Sequence, residues 1–234
     1  MRLTVLGCNG PYPGQNAPTS GYLLEDGNTR VLLDCGSGVL SQVMATVKQD
    51  GLTAVVLSHL HYDHMSDMLP LVFYCQMNGV HLPVYLPMQP SPVLELLRGA
   101  FELHDIAEGG QIGSLKMTSM PVRHPVPAYA ARYENAQGQA LCYTGDTNTC
   151  EGLAAFCKDC DLLLADACFT QEQWAENKPH LSAHLASKLA LEAKAKKLVL
   201  THFPGMSQAL ECAEEGQKVY PEAMMAYPGL HVEF

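Results

Sequence analysis

Positive charge is what this chain has least of. Fourteen Lys and Arg stand against 24 Asp and Glu, for a formal net charge of −10 over 234 residues. A protein that grips a long nucleic acid carries a basic face, so the balance weighs against a dedicated polynucleotide binder. It leaves room for a small anionic substrate held by metal ions, because the ions bring their own positive charge. No apolar run reaches the roughly 18 residues of a membrane helix, so no membrane role is expected. The start, Met1-Arg2-Leu3-Thr4-Val5-Leu6-Gly7, enters a strand pattern at once, and no signal peptide is expected. Linkers, repeats and low-complexity segments are missing too, which fits one domain spanning residues 1–234. The nine cysteines are odd in number and scattered. They read as reduced thiols of a cytoplasmic protein rather than a disulfide framework.

Strand-like and helical runs fill the chain. Strands are expected at Leu3–Leu6, Tyr22–Leu24, Val31–Leu33, Ala54–Leu57, Pro83–Leu86, Leu115–Met120, Tyr129–Tyr133, Ala140–Tyr143, Asp161–Leu164 and Lys197–Leu200. Helices are expected at Gly38–Lys48, Pro92–Leu103, Glu151–Cys157, Ser182–Ala195 and Met206–Gly216, with Ser182 as an N-cap. Two mixed sheets between helices, an α/β sandwich, would accommodate them.

The most informative stretch is Ser58-His59-Leu60-His61-Tyr62-Asp63-His64, directly after the apolar run Ala54-Val55-Val56-Leu57. Imidazole and carboxylate are the ligand set of zinc and similar divalent metals. On extended backbone, His59 and His61 can point the same way. Asp63 and His64 then open a turn and present other directions, which suits two neighbouring metals. Four further candidates follow strand-like runs: His124, Asp146, Asp166 and His202. Alone, each is commonplace. Together they look like one site assembled at strand ends, where layered α/β proteins gather their sites.

The ordered series His59-x-His61-x-Asp63-His64, His124, Thr144-Gly145-Asp146-Thr147 and Thr201-His202-Phe203 resembles the signature of the metallo-β-lactamase superfamily. Asp34-Cys35-Gly36-Ser37-Gly38 matches that superfamily's Asp-x-Gly-x-Gly turn. The resemblance implies a four-layer αββα sandwich. Its ribonuclease Z-like phosphodiesterase branch is the nearer match, through Pro179-His180-Leu181-Ser182-Ala183 ahead of a helix. The resemblance assigns His59, His61, His124 and a shared Asp146 to one metal. It assigns Asp63, His64, Asp146 and His202 to a second, both metals being zinc, manganese or iron. It further implies a hydroxide bridging the metals as nucleophile, Asp63 as ligand and proton acceptor, His180 as general acid and Asp166 as its orienting partner. A general acid matters most for a poor alkoxide leaving group, so a small or cyclic phosphodiester is the expected substrate, and a homodimer the expected assembly. Rival readings are a ribonuclease Z-like RNA endonuclease, a lactone or thioester hydrolase, and a non-catalytic metal-binding interaction protein.

The chain departs from the pattern in three places. Asp67 stands where the superfamily usually has Gly. Ala165-Asp166-Ala167-Cys168 replaces the branch's His-Glu-Ala-Thr. No Gly/Pro/Lys-rich tRNA-gripping arm is present, so tRNA is not the expected partner. Other residues read as follows. His184 is an exposed or capping histidine, and Cys157 and Cys160 are loop thiols rather than a zinc site. Phe169 and Trp174 either pack or stack a base, Tyr62 faces substrate or packs, and Met65, Met68, Met77 and Met88 fill core or interface.

Overall fold

The computed structural model describes residues 1–47 and 51–234. In chain order its elements are β1 (Arg2–Gly7), β2 (Gly21–Asp26), β3 (Thr29–Leu33), α1 (Val39–Thr46), β4 (Ala54–Val56), α2 (Tyr62–Met65), α3 (Met68–Asn78), β5 (Pro83–Leu86), α4 (Pro92–Leu97) and β6 (Glu102–Asp105). There follow a 3₁₀ turn at Ile106–Glu108, β7 (Gly110–Ile112), β8 (Leu115–Pro121), β9 (Tyr129–Glu134), β10 (Ala140–Tyr143), α5 (Leu153–Phe156), β11 (Leu162–Asp166), α6 (Ala183–Glu192), β12 (Leu198–Thr201), α7 (Met206–Gln217), β13 (Met224–Met225) and β14 (His231–Glu233).

The strands form two seven-stranded sheets, ordered β14-β1-β2-β3-β4-β5-β6 and β13-β12-β11-β10-β9-β8-β7. Alternation along each strand sorts the side chains into two cores. Leu3, Val5, Leu24, Val31, Leu33 and Val56 face the second sheet. Their neighbours Leu23, Leu32, Val55 and Leu57 pack instead on Val39 and Val43 of α1 and Met68 and Leu71 of α3. Helices α6 and α7 cover the other sheet, against β11 and β12. This is the αββα sandwich of the metallo-β-lactamase fold. No described helix is long and apolar enough to cross a membrane.

Two parallel runs position the site. In the first sheet β3 and β4 are parallel, so Asp34 and Ser58, each just past its strand, end side by side. In the second, β10, β11 and β12 run parallel and bring the segments that follow them to one edge.

Several elements differ from expectation. The helix expected at Pro92–Leu103 ends at Leu97, and Glu102–Asp105 is a strand. Arg98 already has extended backbone and Gly99 takes φ 80°, a left-handed turn that stops the helix. The helix expected to Lys48 is observed over Val39–Thr46, and Lys48 lies outside the described residues. Helix α6 starts one residue after Ser182, whose hydroxyl accepts the Leu185 N–H at 3.1 Å as an N-cap does. Helices α2 and α3 and strands β6, β7, β13 and β14 were not expected. Among the methionines, Met65 and Met68 are core, whereas Met77 is 87% exposed.

Candidate metal centre

Past β4 the chain bends at Ser58, His61 is extended, and a short helical turn from Tyr62 carries Asp63 and His64. The backbone at His64 is fixed by the glycine-rich turn after β3, where the Cys35 N–H donates to the His64 carbonyl at 2.7 Å. Gly36 is required there, because a Cβ would stand 2.0 Å from the Asp63 carbonyl oxygen. His202 caps β12 with φ 69°, a left-handed conformation that costs a non-glycine residue energy and tends to mark functional positions. Its ring lies against Gly10, where a Cβ would sit 2.0 Å from the imidazole.

Asp34 is the residue that sequence reasoning placed in a turn and did not connect to the site. It is fully buried, also at positive φ. Its Oδ1 accepts the Ser58 N–H at 2.7 Å. Its Oδ2 accepts the Ser58 hydroxyl at 2.9 Å, the Tyr143 hydroxyl at 2.7 Å and His64 Nδ1 at 2.7 Å. A carboxylate can only accept, so His64 carries a proton on Nδ1 and turns Nε2 inward. The Ser58 hydroxyl proton is spent on Asp34, so His59 Nδ1, 3.0 Å away, must be the donor to Ser58. His124 Nδ1 donates to the Pro179 carbonyl at 3.2 Å, and His202 Nδ1 sits 3.1 Å from the Ser20 hydroxyl. Outer hydrogen bonds of this kind select the tautomer that presents Nε2 to a metal.

Among the described residues the inward atoms meet in two main groups, and a third, of His124, Asp146 and His180, overlaps both. His59 Nε2 and His124 Nε2 lie 3.1 and 3.0 Å from His61 Nδ1. A proton on His61 could serve only one of these neighbours. The second group is Asp63, His64, Asp146 and His202, all buried or nearly so. Asp146 Oδ2 is 3.2 Å from His64 Nε2, 3.3 Å from His202 Nε2 and 3.6 Å from His59 Nε2, so it faces both groups. His64 Nε2 and His202 Nε2 are buried without a hydrogen-bond partner. Donors sharing one tetrahedral ion at about 2.1 Å stand about 3.4 Å apart. Orphaned ring nitrogens at that spacing, around one carboxylate, fit divalent metal.

The electrostatics agree. Burial drives His59 well below the usual histidine range, His124 down to about 4 and His202 down to about 3. Burial would also raise Asp146, but His202, His64 and His59 outweigh it and hold its carboxyl well below the ordinary range. His64 is the exception: burial would lower its pKa, but Asp146 and Asp34 raise it well above the usual range, whereas the others are neutral imidazoles beside an ionised carboxylate, the protonation states that ligation needs.

His180 lies beside these groups. Its Nδ1 is 2.8 Å from Asp166 Oδ2 and 3.8 Å from Asp146 Oδ2. Its ring stacks on His202 at 4.9 Å between centroids. Asp166, the last residue of β11, is buried and also accepts the N–H groups of Thr147 and Cys168. All nine sequence candidates are thus brought together.

The other residues singled out do not join them. His184 is half-buried, gives its backbone N–H to Glu215, and belongs to none of the ligand groups found among the described residues. Trp174 donates to Asn148, whose amide holds the carbonyls of residues 175, 176 and 178. Phe169 meets the His180 ring edge-on at 5.8 Å and carries Lys178 over its face at 4.6 Å. Tyr62 is 75% exposed. Cys157 and Cys160 are buried free thiols. Asp67 has a structural task. Helix α1 begins at Gly38 with no side-chain cap, and Asp67 Oδ2 accepts the Leu40 N–H at 2.9 Å from across the loop.

Because Asp34 fixes His64, Asp34→Asn is expected to weaken metal binding about 10–100-fold, and to lower the melting temperature of the metal-free protein as well, since an amide cannot accept all four of the buried hydrogen bonds that the carboxylate accepts. Competition with a chromophoric chelator measures it. Unchanged affinity would mean that the Asp34 bonds hold the loop without tuning the ligand.

Comparison with known proteins gives the same picture. Residues 29–203 match a family model described as a beta-lactamase superfamily domain. A protein described as a probable metallo-hydrolase, YhfI of Bacillus subtilis, is 33% identical over 232 residues, covering 94% of each chain. Its crystal structure superposes with TM-score 0.92 over 100% of this chain and 99% of that one. A ribonuclease Z of Archaeoglobus fulgidus is 25% identical over 100% of this chain and 97% of its own. A diphosphatase from the PhnP family shares the fold, with TM-score 0.75 and 22% identity over 100% of this chain and 97% of that one. A match through three-quarters of the sequence, with a relative a third identical along nearly all of it, makes this chain a member of the beta-lactamase superfamily.

Proposed function

We propose that this protein is a metal-dependent phosphodiesterase acting on a small or cyclic phosphodiester. His59, His61 and His124 would hold one divalent ion and Asp63, His64 and His202 a second, with Asp146 shared; zinc suits the nitrogen-rich donor set, with manganese or iron as alternatives. Such ions supply Lewis acidity toward phosphoryl oxygens and make a water-derived nucleophile available near neutral pH. The chain's own residues do the rest. Asp63, the most exposed carboxylate of the site, can accept the nucleophile's proton. His180 delivers a proton to the departing oxygen from Nε2, since Nδ1 is committed to Asp166. Asp166 favours the charged imidazole. Burial alone would lower the His180 pKa, but Asp166 raises it well above the usual range, and nearby cations would draw it back toward neutrality.

The His180–Asp166 couple, 3.8 Å from the shared carboxylate, carries this reading. A proton donor in that place serves poor leaving groups, which phosphodiesters have and lactones and thioesters lack to the same degree. The names of the relatives, a probable metallo-hydrolase and a ribonuclease Z, are in keeping with it. The acidic chain favours a small substrate over tRNA, and nine free cysteines suit a reducing cytoplasm. The test is a panel on zinc- and manganese-loaded protein: bis(p-nitrophenyl) phosphate, 2′,3′- and 3′,5′-cyclic nucleotides, a lactone and a thioester. Turnover of phosphodiesters is expected. Turnover of only the lactone or thioester would overturn the proposal.

A further inference from the structure

Arginine in this chain keeps to glutamate, with one exception. Arg2 and Arg30 meet Glu25, Arg98 meets Glu95 and Arg132 meets Glu134. Arg123 has no carboxylate partner among the described residues. Its Nη2 donates to the Glu176 carbonyl at 2.7 Å, and it stands directly before His124. Lys178 is alike. It forms no ion pair among the described residues, donates to the Gln173 carbonyl, and stands two residues before His180. Two unpaired cations thus flank the site in a chain of net charge −10.

The backbone brings them to one lip of the cleft. Residues 123–124 run alongside 176–179: Arg123 reaches the Glu176 carbonyl, and His124 Nδ1 donates to the Pro179 carbonyl at 3.2 Å. Lys178 falls between those two contacts. The Arg123 N–H donates to the Thr147 hydroxyl at 3.2 Å, and its carbonyl accepts the Asn148 N–H at 3.0 Å. The buried Asn148 amide fixes the facing loop, donating to the Lys178 carbonyl at 2.6 Å. The Lys178 ammonium rests over the Phe169 ring, which meets His180 edge-on. Each carbonyl occupies only part of a guanidinium or ammonium, so further donors stay free. Glu172 and Glu176 share the loop, exposed, and pair with neither cation.

We propose that Arg123 and Lys178 form an anion subsite on the leaving-group side of the metal centre, which receives a second phosphate carried by the alcohol that His180 protonates. The substrate class is then a small phosphodiester whose leaving half bears a terminal phosphate. A guanidinium fork takes phosphate through paired hydrogen bonds, and an ammonium adds a point charge. Cations held by carbonyls suit this, because no carboxylate has to be displaced when phosphate binds. A long nucleic acid is a poor occupant, since two cations fall short of the roughly 6–10 phosphate contacts of a protein that grips one. The leaving-group placement rests on the phosphodiesterase reading; the anion subsite itself does not.

Isothermal titration of the zinc-loaded protein tests it without any need for turnover. The probes are adenosine 3′,5′-bisphosphate and fructose 1,6-bisphosphate, each against its monophosphates, so that the second phosphate is offered at two spacings. At least one bisphosphate is expected to bind about tenfold or more tightly than its monophosphates. Arg123→Gln and Lys178→Gln should each cut that preference below about threefold, and Arg123→Lys should keep part of it. Lys218→Gln, which removes an exposed cation from the end of α7, should leave it whole. Metal content and melting temperature identify a variant that has lost the fold, and the other variant then decides. Equal affinity for mono- and bisphosphates, or a preference that survives both Gln variants, would overturn the subsite, whatever the protein hydrolyses. A preference lost in both variants, in a protein that turns over no phosphodiester, would uphold the subsite and sink the phosphodiesterase reading instead.

Discussion

Asp146→Ala should strip the protein of metal and abolish turnover together. Asp146 Oδ2 lies within 3.2–3.8 Å of ring nitrogens on His64, His202, His59 and His180, and so serves both ligand groups at once. His61 belongs to one group only. Removing Asp146 would also remove the buried negative charge that could offset bound cations, and an uncompensated cation in a buried site is costly. Measured by inductively coupled plasma mass spectrometry after desalting, native protein is expected to retain about two ions per chain, His61→Ala about one, and Asp146→Ala almost none. Turnover of bis(p-nitrophenyl) phosphate should fall at least about 10³-fold in Asp146→Ala, or about 4 kcal/mol of transition-state stabilisation. Full metal occupancy in that variant would contradict the shared-carboxylate reading.

The clustering of the candidate ligands was legible in the sequence because the donors sit where parallel strands end. Asp146, Asp166 and His202 each follow a run of small apolar residues, and the β10–β11–β12 pairing turns that regularity into proximity. Asp34 was visible only as part of a turn. Its role depends on β3 lying beside β4, a pairing that no local pattern announces. Helix α3 escaped notice because apolar residues on both faces leave it no amphipathic period to detect. The opposite error occurred at Pro92–Leu103. Leu97 and Phe101 kept a helical rhythm past Gly99, where the backbone had already turned. Asp67, a departure from the family pattern, proves compatible with the loop because it caps α1 from a distance.

His180→Ala should separate metal binding from proton delivery. His180 Nδ1 points to Asp166 and Asp146, and its ring leans on His202 without sharing that residue's orphaned nitrogen. The variant is therefore expected to keep its full metal content. General acid catalysis contributes about 10²–10⁴-fold where the leaving group needs a proton. An alkoxide leaving a nucleoside or alkyl phosphodiester needs one, while p-nitrophenolate departs well as an anion. Turnover should thus fall by about 10²–10⁴ on the first kind of substrate and less than about tenfold on the second. Asp166→Asn should follow the same pattern more weakly. It keeps the oxygen that can orient the ring but loses the charge that raises the His180 pKa, so the alkaline limb of its pH profile on alkoxide substrates, where His180 loses its proton, should move to lower pH. That shift distinguishes proton delivery from simple support of the fold, which would lower both substrates alike and leave the profile in place. Equal losses on both leaving groups in His180→Ala, with metal retained, would remove the general acid from the mechanism and with it the main reason for preferring a phosphodiester.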